Sequence, residues 1–163
     1  MILIGLGANL PSAVGGPQQT LEAALARIEA AGVHIVAHSR WYRTAPVPVS
    51  DQPWFVNGVA RVETVLDPPA LLRVLRGVER EFGRRRTVPN AARTLDLDII
   101  DYDNRVEDTP ELILPHPRVQ DRAFVLLPLA EVAPEWRHPT LGQTVKILIS
   151  ALPAAQKAAP LPG

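Results

Sequence analysis

The chain has 163 residues, of which 47% are hydrophobic and 21% charged, a composition typical of one ordinary globular domain. Its 17 basic and 17 acidic residues give a formal net charge of zero, which argues against non-specific coating of nucleic acid. The absence of cysteine excludes disulfides, thiol catalysis and cysteine-bound zinc. No apolar run approaches a membrane span, and the first residues do not resemble a signal peptide. We therefore expect a cytoplasmic protein with neither a membrane nor a nucleic-acid partner.

The first elements are a strand and a helix. Residues 2–7 form a short apolar strand, and Gly5 and Gly7 allow a tight exit from it. This is not a dinucleotide-binding fingerprint, because the third glycine is missing and no helix follows at once. Pro17 suits the first turn of a helix, the apolar residues after it recur at helical spacing, and Gly32 is a plausible end.

Two strands and a second helix follow. Residues 33–44 are rich in β-forming residues and residues 54–65 alternate in polarity, so each predicts a strand. A stiff, proline-rich loop at 45–53 separates them. Asp67 then caps a helix that begins at Pro68 and carries an apolar stripe.

The next strand carries the most informative pattern in the chain. Leu95, Leu97 and Ile99 alternate with Asp96 and Asp98, so one face enters the core and the other presents two carboxylates. Two carboxylates on one face repel each other unless a cation lies between them, and magnesium suits such a pair together with phosphate oxygens. The alternative is that the two aspartates are only the solvated face of the strand.

Arginines surround this strand, which favours an anionic ligand. Arg84, Arg85 and Arg86 precede it on a basic loop at 83–92, which is long enough to form a mobile phosphate clamp. Other candidates for phosphate contact are Arg93, His116, Arg118 and Arg122. Charge runs are more often solvated, and a lone loop histidine more often lies at the surface, so both interpretations stay open.

The rest of the chain completes the predicted fold. Short extended pieces lead to a turn at 115–117, an apolar helix near 121–130 and a last helix near 143–152. The order β-α-β-β-α-β indicates an α+β (α/β sandwich) protein with a ferredoxin-like core, a mostly antiparallel sheet and extra C-terminal helices. We expect one domain over 1–152 and a loose tail over 153–163.

An aromatic and an amide share one face of the strand predicted at 54–65. Phe55 and Asn57 lie at i and i+2, an arrangement suited to a flat polar heterocycle through stacking and paired hydrogen bonds. The alternative is that Phe55 belongs to the core and Asn57 is an ordinary polar residue at a strand edge.

Together these segments resemble the 6-hydroxymethyl-7,8-dihydropterin pyrophosphokinase family of folate synthesis. The resemblance runs from Gly5 to about Pro134, and the string from Arg93 to Ile99 is its most specific part. It also includes Gly5-Leu6-Gly7-Ala8-Asn9-Leu10, Tyr42-Arg43-Thr44, Asp51-Gln52-Pro53, Phe55-Val56-Asn57, Pro115-His116, Arg122-Ala123-Phe124 and Pro128-Leu129.

The resemblance implies roles for individual residues. Asp96 and Asp98 would hold two magnesium ions against the phosphates of ATP, and Arg84 and Arg93 would act in catalysis beside them. The ATP-binding residues it implies are Glu79, Arg84, Arg86, Arg93, Ile99, His116, Arg118 and Arg122. The pterin-binding residues it implies are Thr44, Pro46, Val47, Phe55, Asn57 and Phe124, with the two aromatic rings enclosing the pterin.

The resemblance also implies a reaction: the hydroxymethyl oxygen of the pterin attacks the β-phosphorus of ATP, and AMP leaves. We expect the loops 45–53 and 83–92 to close over the substrates, and the protein to act as a monomer. Ala91-Ala92 stands where the family usually has Gly-Pro, a departure within the second loop. The alternatives are another two-metal nucleotidyl or phosphoryl transferase and a non-catalytic ferredoxin-like binding module.

Overall fold

A six-stranded antiparallel sheet forms the centre of the protein in this computed structural model, which describes residues 1–46, 51–84, 94–154, 156 and 158–162. The strands of the sheet are β1 (Ile2–Ala8), β2 (His34–His38), β3 (Tyr42–Thr44), β4 (Phe55–Glu63), β5 (Asp96–Tyr102) and, near the C-terminus, β8 (Ala158–Pro160). A separate small hairpin consists of β6 (Glu107–Asp108) and β7 (Ile113–Leu114).

The order of the strands is the one that the sequence pattern predicts. β1 lies between β4 and β5, while β2 and β3 pair with successive parts of β4. The helices are α1 (Pro17–Ala30), α2 (Pro68–Glu81), α3 (Ala123–Val132) and α4 (Val145–Ser150). The predicted α+β class and the antiparallel sheet are confirmed.

Helices cover both faces of the sheet, which explains why β1 is apolar along most of its length. One core lies between the sheet and the pair α1–α2, where Leu21 and Leu71 are fully buried. The second core lies between the sheet and the pair α3–α4, and it includes Leu126 and Leu148. The C-terminal helices therefore form a third layer, and the sequence pattern showed them only as additions to the core.

The predicted helix ends are confirmed where they carry a specific signal. The Asp67 side chain accepts a hydrogen bond from the Ala70 amide at 2.9 Å, which caps α2. Gly32 and Gly83 follow α1 and α2 with φ of 92° and 82°, the left-handed conformation that glycine adopts without strain.

Two predictions need correction. Residues 33–44 form two strands rather than one, since the pairing register with β4 changes between His38 and Tyr42. In the gap, Ser39 contacts the backbone of Val59 through both its amide and its hydroxyl. The tail over 153–163 is not loose along its described length, since Ala158–Pro160 pairs with β3. Among the described residues, no helix is long and apolar enough to cross a bilayer.

Candidate functional site

The two glycines of β1 form the floor of a cleft. Gly7 lies opposite Asn57 on β4 and Asp96 on β5, and Gly5 lies opposite Asp98. A Cβ atom built on Gly7 would lie 2.4 Å from the Asn57 Oδ1 atom, so only glycine admits the observed position of the amide. The predicted role of these glycines in a tight exit is therefore wrong: both lie within the strand and leave room above it.

Asp96 and Asp98 stand on the same face as this floor, as the alternation predicted. Their side chains are 23% and 32% exposed, so both carboxylates remain accessible. Asp96 forms a salt bridge with Arg84, and Asp98 lies 3.8 Å from the Arg76 Nη2 atom. The positive charges of the two arginines compensate the repulsion between the two carboxylates.

The donor set fits magnesium bound jointly by protein and substrate. Carboxylate oxygens are ligands that magnesium prefers, and the ion commonly takes one or two from the protein and the rest from phosphates and water. Within the described residues, no group of three or more acidic or histidine side chains suits a metal ion. Asp96 and Asp98 are therefore suited to a magnesium ion that arrives with a phosphate ligand.

Glu79 links α2 to β5 beneath the carboxylates. Its side chain is only 2% exposed, and its Oε2 atom accepts hydrogen bonds from the Leu97 amide at 2.8 Å and from Arg76 and Arg84 at 3.1 and 3.2 Å. The resemblance implied a supporting role for Glu79 near the nucleotide, and that role stays a prediction. Its buried carboxylate holds the two arginines that face the aspartates.

Arg84 belongs to this network rather than to an exposed loop. After Gly83 the chain turns back, and the Arg84 side chain, 9% exposed, also donates to the Leu95 carbonyl at 3.1 Å. The Arg84 side chain is therefore packed rather than solvated, while the predicted mobile loop stays a prediction because its residues 85–92 lie outside the described residues. Sequence reasoning missed Arg76, which donates to the Leu97 carbonyl at 2.7 Å; its spacing of three residues from Glu79 is the only signal.

His116 faces the aspartates as a neutral ring. Burial lowers its pKa to about 4, and the positive charges of Arg122 and Arg118 act in the same direction, against the carboxylate of Asp96. The Nδ1 atom accepts a hydrogen bond from the Arg118 amide at 3.2 Å, so the proton of the neutral ring is on Nε2. That N–H lies 4.0 Å from an oxygen of Asp98, where it can donate to a ligand.

The opposite side of the cleft is held by neutral hydrogen bonds. The Asn57 amide donates to the Thr44 hydroxyl at 2.6 Å, and both side chains are buried. Asn9, also buried, donates to the Gln52 side chain at 3.1 Å and to the Pro53 carbonyl at 3.1 Å, which ties the segment before β4 to the end of β1. Asn9 is a second positioning residue that sequence reasoning did not assign.

Aromatic residues complete this side. Phe124, at the start of α3, lines the cleft, and the Arg122 guanidinium lies 5.1 Å from the centre of its ring. Phe55 is half-buried on the same face of β4 as Asn57 but is not among the described residues that line the cleft. The arrangement offers an amide edge and one ring face to a flat molecule.

Two clefts meet at this site. The first has the glycine floor, Asn57 and Phe124 in its wall. The second is lined by Leu72, Ile99 and the turn at 109–113. Asp98 and His116 line both clefts, so molecules bound in the two clefts would meet at these residues.

Comparison with known proteins agrees with this geometry. Residues 3–134 match the model of the 7,8-dihydro-6-hydroxymethylpterin-pyrophosphokinase family. The chain belongs to this family. Relatives named 2-amino-4-hydroxy-6-hydroxymethyldihydropteridine pyrophosphokinase include those of Synechocystis, 40% identical over 90% of this chain and 73% of the relative, and Pseudomonas aeruginosa, 41% identical over 93% and 91%.

Solved structures agree at the level of the fold. A crystal structure of an HPPK-DHPS in complex with substrates superposes with a TM-score of 0.70 at 16% identity. This chain is covered to 92% in that superposition and spans only 43% of the larger chain. The ferredoxin-like arrangement inferred from the sequence is thus the fold of this pyrophosphokinase family.

The family resemblance also implied roles for residues that lie farther from the junction of the two clefts or do not line them. Ile99 lines the second cleft, and Pro46 is buried beyond the end of β3. Arg118 is exposed, and it is not among the described residues lining either cleft. The predicted contacts of Val47, Arg86 and Arg93 lie outside the described residues. So do residues 85–92, which make up nearly all of the predicted loop at 83–92.

Proposed function

We propose that this protein transfers the pyrophosphoryl group of ATP to the hydroxymethyl oxygen of 6-hydroxymethyl-7,8-dihydropterin and releases AMP, a step of folate synthesis. The observation that carries the proposal is the pair of clefts that share Asp98 and His116. A transfer between two substrates needs two binding spaces with one charged junction. A non-catalytic binding module has no need of this arrangement, and family membership does not favour one.

The first cleft suits the pterin. Its glycine floor leaves room for a flat bicyclic ring, Phe124 offers a stacking surface, and Asn57 offers an amide to the ring edge. Phe55, Thr44, Pro46 and Val47 are proposed to complete this pocket. Asn57 is pre-oriented, because its bond to Thr44 fixes which atom of the amide faces the cleft.

The second cleft suits the nucleoside of ATP. Leu72 and Ile99 give it apolar walls for a heterocyclic base, and Arg76 lies at its inner end next to Asp98. A nucleoside bound there would direct its phosphates toward Asp98 and His116. The β-phosphorus would then lie at the junction, within reach of a pterin bound in the first cleft.

Asp96 and Asp98 are proposed to hold magnesium, and two ions are proposed from the family resemblance. When bound, magnesium neutralises phosphate charge and orients the triphosphate. The arginines that face the carboxylates then become available to phosphate oxygens: Arg84 is next to Asp96, and Arg76 is next to Asp98. His116 can donate its Nε2 proton to a phosphate oxygen without adding a charge of its own.

The chemical step asks for position more than for covalent help. The hydroxymethyl oxygen forms a bond to the β-phosphorus, the bond from that phosphorus to the oxygen bridging to the α-phosphate breaks, and AMP retains that oxygen. The hydroxyl proton passes to a carboxylate or to water. The residues of the chain hold the donor and acceptor in line and compensate the negative charge, which is how phosphoryl transfer is generally accelerated.

A cytoplasmic location and a monomeric state remain part of this proposal. The decisive experiment is incubation with ATP, magnesium and the reduced pterin, followed by separation of the nucleotides and the pterin products. We expect AMP and pterin diphosphate in equal amounts. Release of pyrophosphate would favour a nucleotidyl transferase instead, and release of ADP would favour a simple kinase; either result would contradict the proposal.

A further inference from the structure

The C-terminal segment contacts both β3 and the start of α3, next to the first cleft, which is called the pterin cleft below because the proposed function assigns the pterin to it. Its strand β8 pairs with β3, so that Ala158 lies opposite Thr44, and the Leu161 amide donates to the Trp41 carbonyl at 2.8 Å. Two residues before β8, the Gln156 side chain reaches the start of α3. One short segment thus contacts the strand that carries Thr44 and the helix that carries Phe124.

Gln156 satisfies two backbone groups that flank Arg122. Its Oε1 atom accepts a hydrogen bond from the Ala123 amide at 2.8 Å, and its Nε2 atom donates to the Asp121 carbonyl at 2.5 Å. The Ala123 N–H is one of the first amides of α3, which have no partner within the helix.

Arg122 stands at the N-cap position of α3 but does not cap it. Its side chain makes no capping hydrogen bond, and an arginine side chain has only donors, so it cannot accept from the helix amides. The guanidinium instead lies over the Phe124 ring and lines the cleft. A helix whose N-cap residue is used by the site needs its cap from elsewhere.

We infer that Gln156 is a positioning residue that caps α3 from the C-terminal segment and thereby fixes Arg122 and Phe124 in the pterin cleft. The inference rests on the proposed function, because it assigns Phe124 to pterin binding. Gln156 itself is not among the described residues that line either cleft, so its effect on the site passes through the start of α3.

The test compares two substitutions that separate the acceptor from the donor. Gln156→Ala removes both, and we expect it to raise the dissociation constant for the pterin roughly fivefold, as for a lost helix cap. Gln156→Glu keeps an acceptor for the Ala123 amide, at a helix end where a negative charge is favourable, but its second oxygen must turn away from the Asp121 carbonyl, which is also an acceptor. We expect Gln156→Glu to raise the dissociation constant clearly less than Gln156→Ala does, because the cap of α3 is kept.

Controls distinguish positioning from general stability. Gln18→Ala removes another side-chain hydrogen bond, to Glu22 on α1, and should leave pterin affinity unchanged. In a Phe124→Ala background, Gln156→Ala should have less than half of its effect, because the ring it positions is gone. Melting temperatures of all variants show whether affinity changes track stability.

Three outcomes would overturn the inference. Gln156→Ala with unchanged pterin affinity would remove its basis, as would equal losses in Gln156→Ala and Gln156→Glu. A full effect of Gln156→Ala in the Phe124→Ala background would show that Gln156 does not act through that ring. These results differ from a failure of the proposed function, in which the parent protein itself yields no AMP with the reduced pterin.

Discussion

The two walls of the first cleft are built on different physical principles. The β5 wall carries the charged groups Asp96 and Asp98, each facing an arginine that Glu79 anchors from below. The β4 wall is neutral. The Asn57 amide donates a hydrogen bond to Thr44, and its oxygen occupies the space that a side chain at Gly7 would fill.

The difference separates the tasks of the two walls. Charges on the β5 wall are compensated within the protein, and the same cations can be redirected to phosphates when a metal binds the carboxylates. Hydrogen bonds on the β4 wall join neutral groups, so on the proposed function this wall binds the neutral pterin ring without rearrangement. Changes on the β5 wall should therefore affect turnover most, and changes on the β4 wall should affect pterin affinity most.

The largest effect is expected at the carboxylates. Asp96→Asn and Asp98→Asn should each lower kcat by roughly 10²–10³-fold, or about 3–4 kcal/mol, by analogy with loss of one electrostatic contact to a transition state. Pterin affinity should change little. Steady-state kinetics and calorimetry measure both quantities, and Asp108→Asn, an exposed change on β6, is the control. Near-normal turnover in either variant would place the metal site elsewhere.

His116 should make the free energy of unfolding depend on pH, by an amount similar in size to the change in activation free energy expected at the carboxylates. The unfolded state binds a proton near pH 6.5, whereas the folded state binds one only near pH 4, because burial lowers the pKa of His116 to about 4. Between these pH values the unfolded state holds more protons, so stability falls as pH falls. The loss by pH 4 is on the order of 3 kcal/mol.

Comparison with His116→Asn isolates this contribution, because Asn also offers an acceptor to the Arg118 amide. Denaturant unfolding at several pH values should show the parent losing more stability than the variant between pH 6.5 and 4.5. Parallel curves for the two proteins would mean that His116 titrates normally in the folded state.

Glu79→Gln should weaken the hydrogen bonds that hold Arg76 and Arg84 next to the carboxylates of the β5 wall. The neutral amide can still accept a hydrogen bond but loses the negative charge that Arg76 and Arg84 share, and bonds to a charged group are worth roughly 1.5–3 kcal/mol. We expect a loss of stability in that range and a drop in kcat beyond it, with pterin affinity largely kept. Glu81→Gln, an exposed change in the same helix, is the control. A variant with normal kcat would show that this anchoring does not matter for catalysis.

Gly7→Ala should have the smallest effect of these four sets of changes. It should act on pterin affinity, through the β4 wall. The new Cβ would lie 2.4 Å from the Asn57 oxygen, so the amide must shift from its bond to Thr44. Pterin affinity should fall by about 1–3 kcal/mol, the range for inserting a methyl group into a packed site. Gly77→Ala, with no atom closer than 3.8 Å, tests tolerance to alanine elsewhere. Equal losses of ATP and pterin affinity would contradict the division between the walls.

The sequence was sufficient for features that depend on local periodicity. The alternation around Asp96 and Asp98 placed both carboxylates on one face, and Asp67 with Pro68 marked the start of α2. These features follow from neighbours along the chain, which a pattern records. The family resemblance then supplied roles that no local pattern contains.

The sequence was insufficient where contacts join distant segments. Gly5 and Gly7 seemed to end a strand because a pattern cannot show that the neighbouring strands bring Asn57 and Asp96 to either side. Arg84 seemed to belong to an exposed loop because its contacts with Glu79 and Asp96 depend on the turn at Gly83. The pairing of β8 with β3 joins residues more than 100 positions apart and has no local signal.

The most direct test of the account is a crystal structure with magnesium, a non-hydrolysable ATP analogue and the pterin bound together. We expect the metal on Asp96 and Asp98, the nucleoside against Leu72 and Ile99, and the pterin above the glycine floor against Phe124. Its hydroxymethyl oxygen should face the β-phosphorus beside His116. A metal bound away from the two aspartates, or both substrates bound in one cleft, would contradict it.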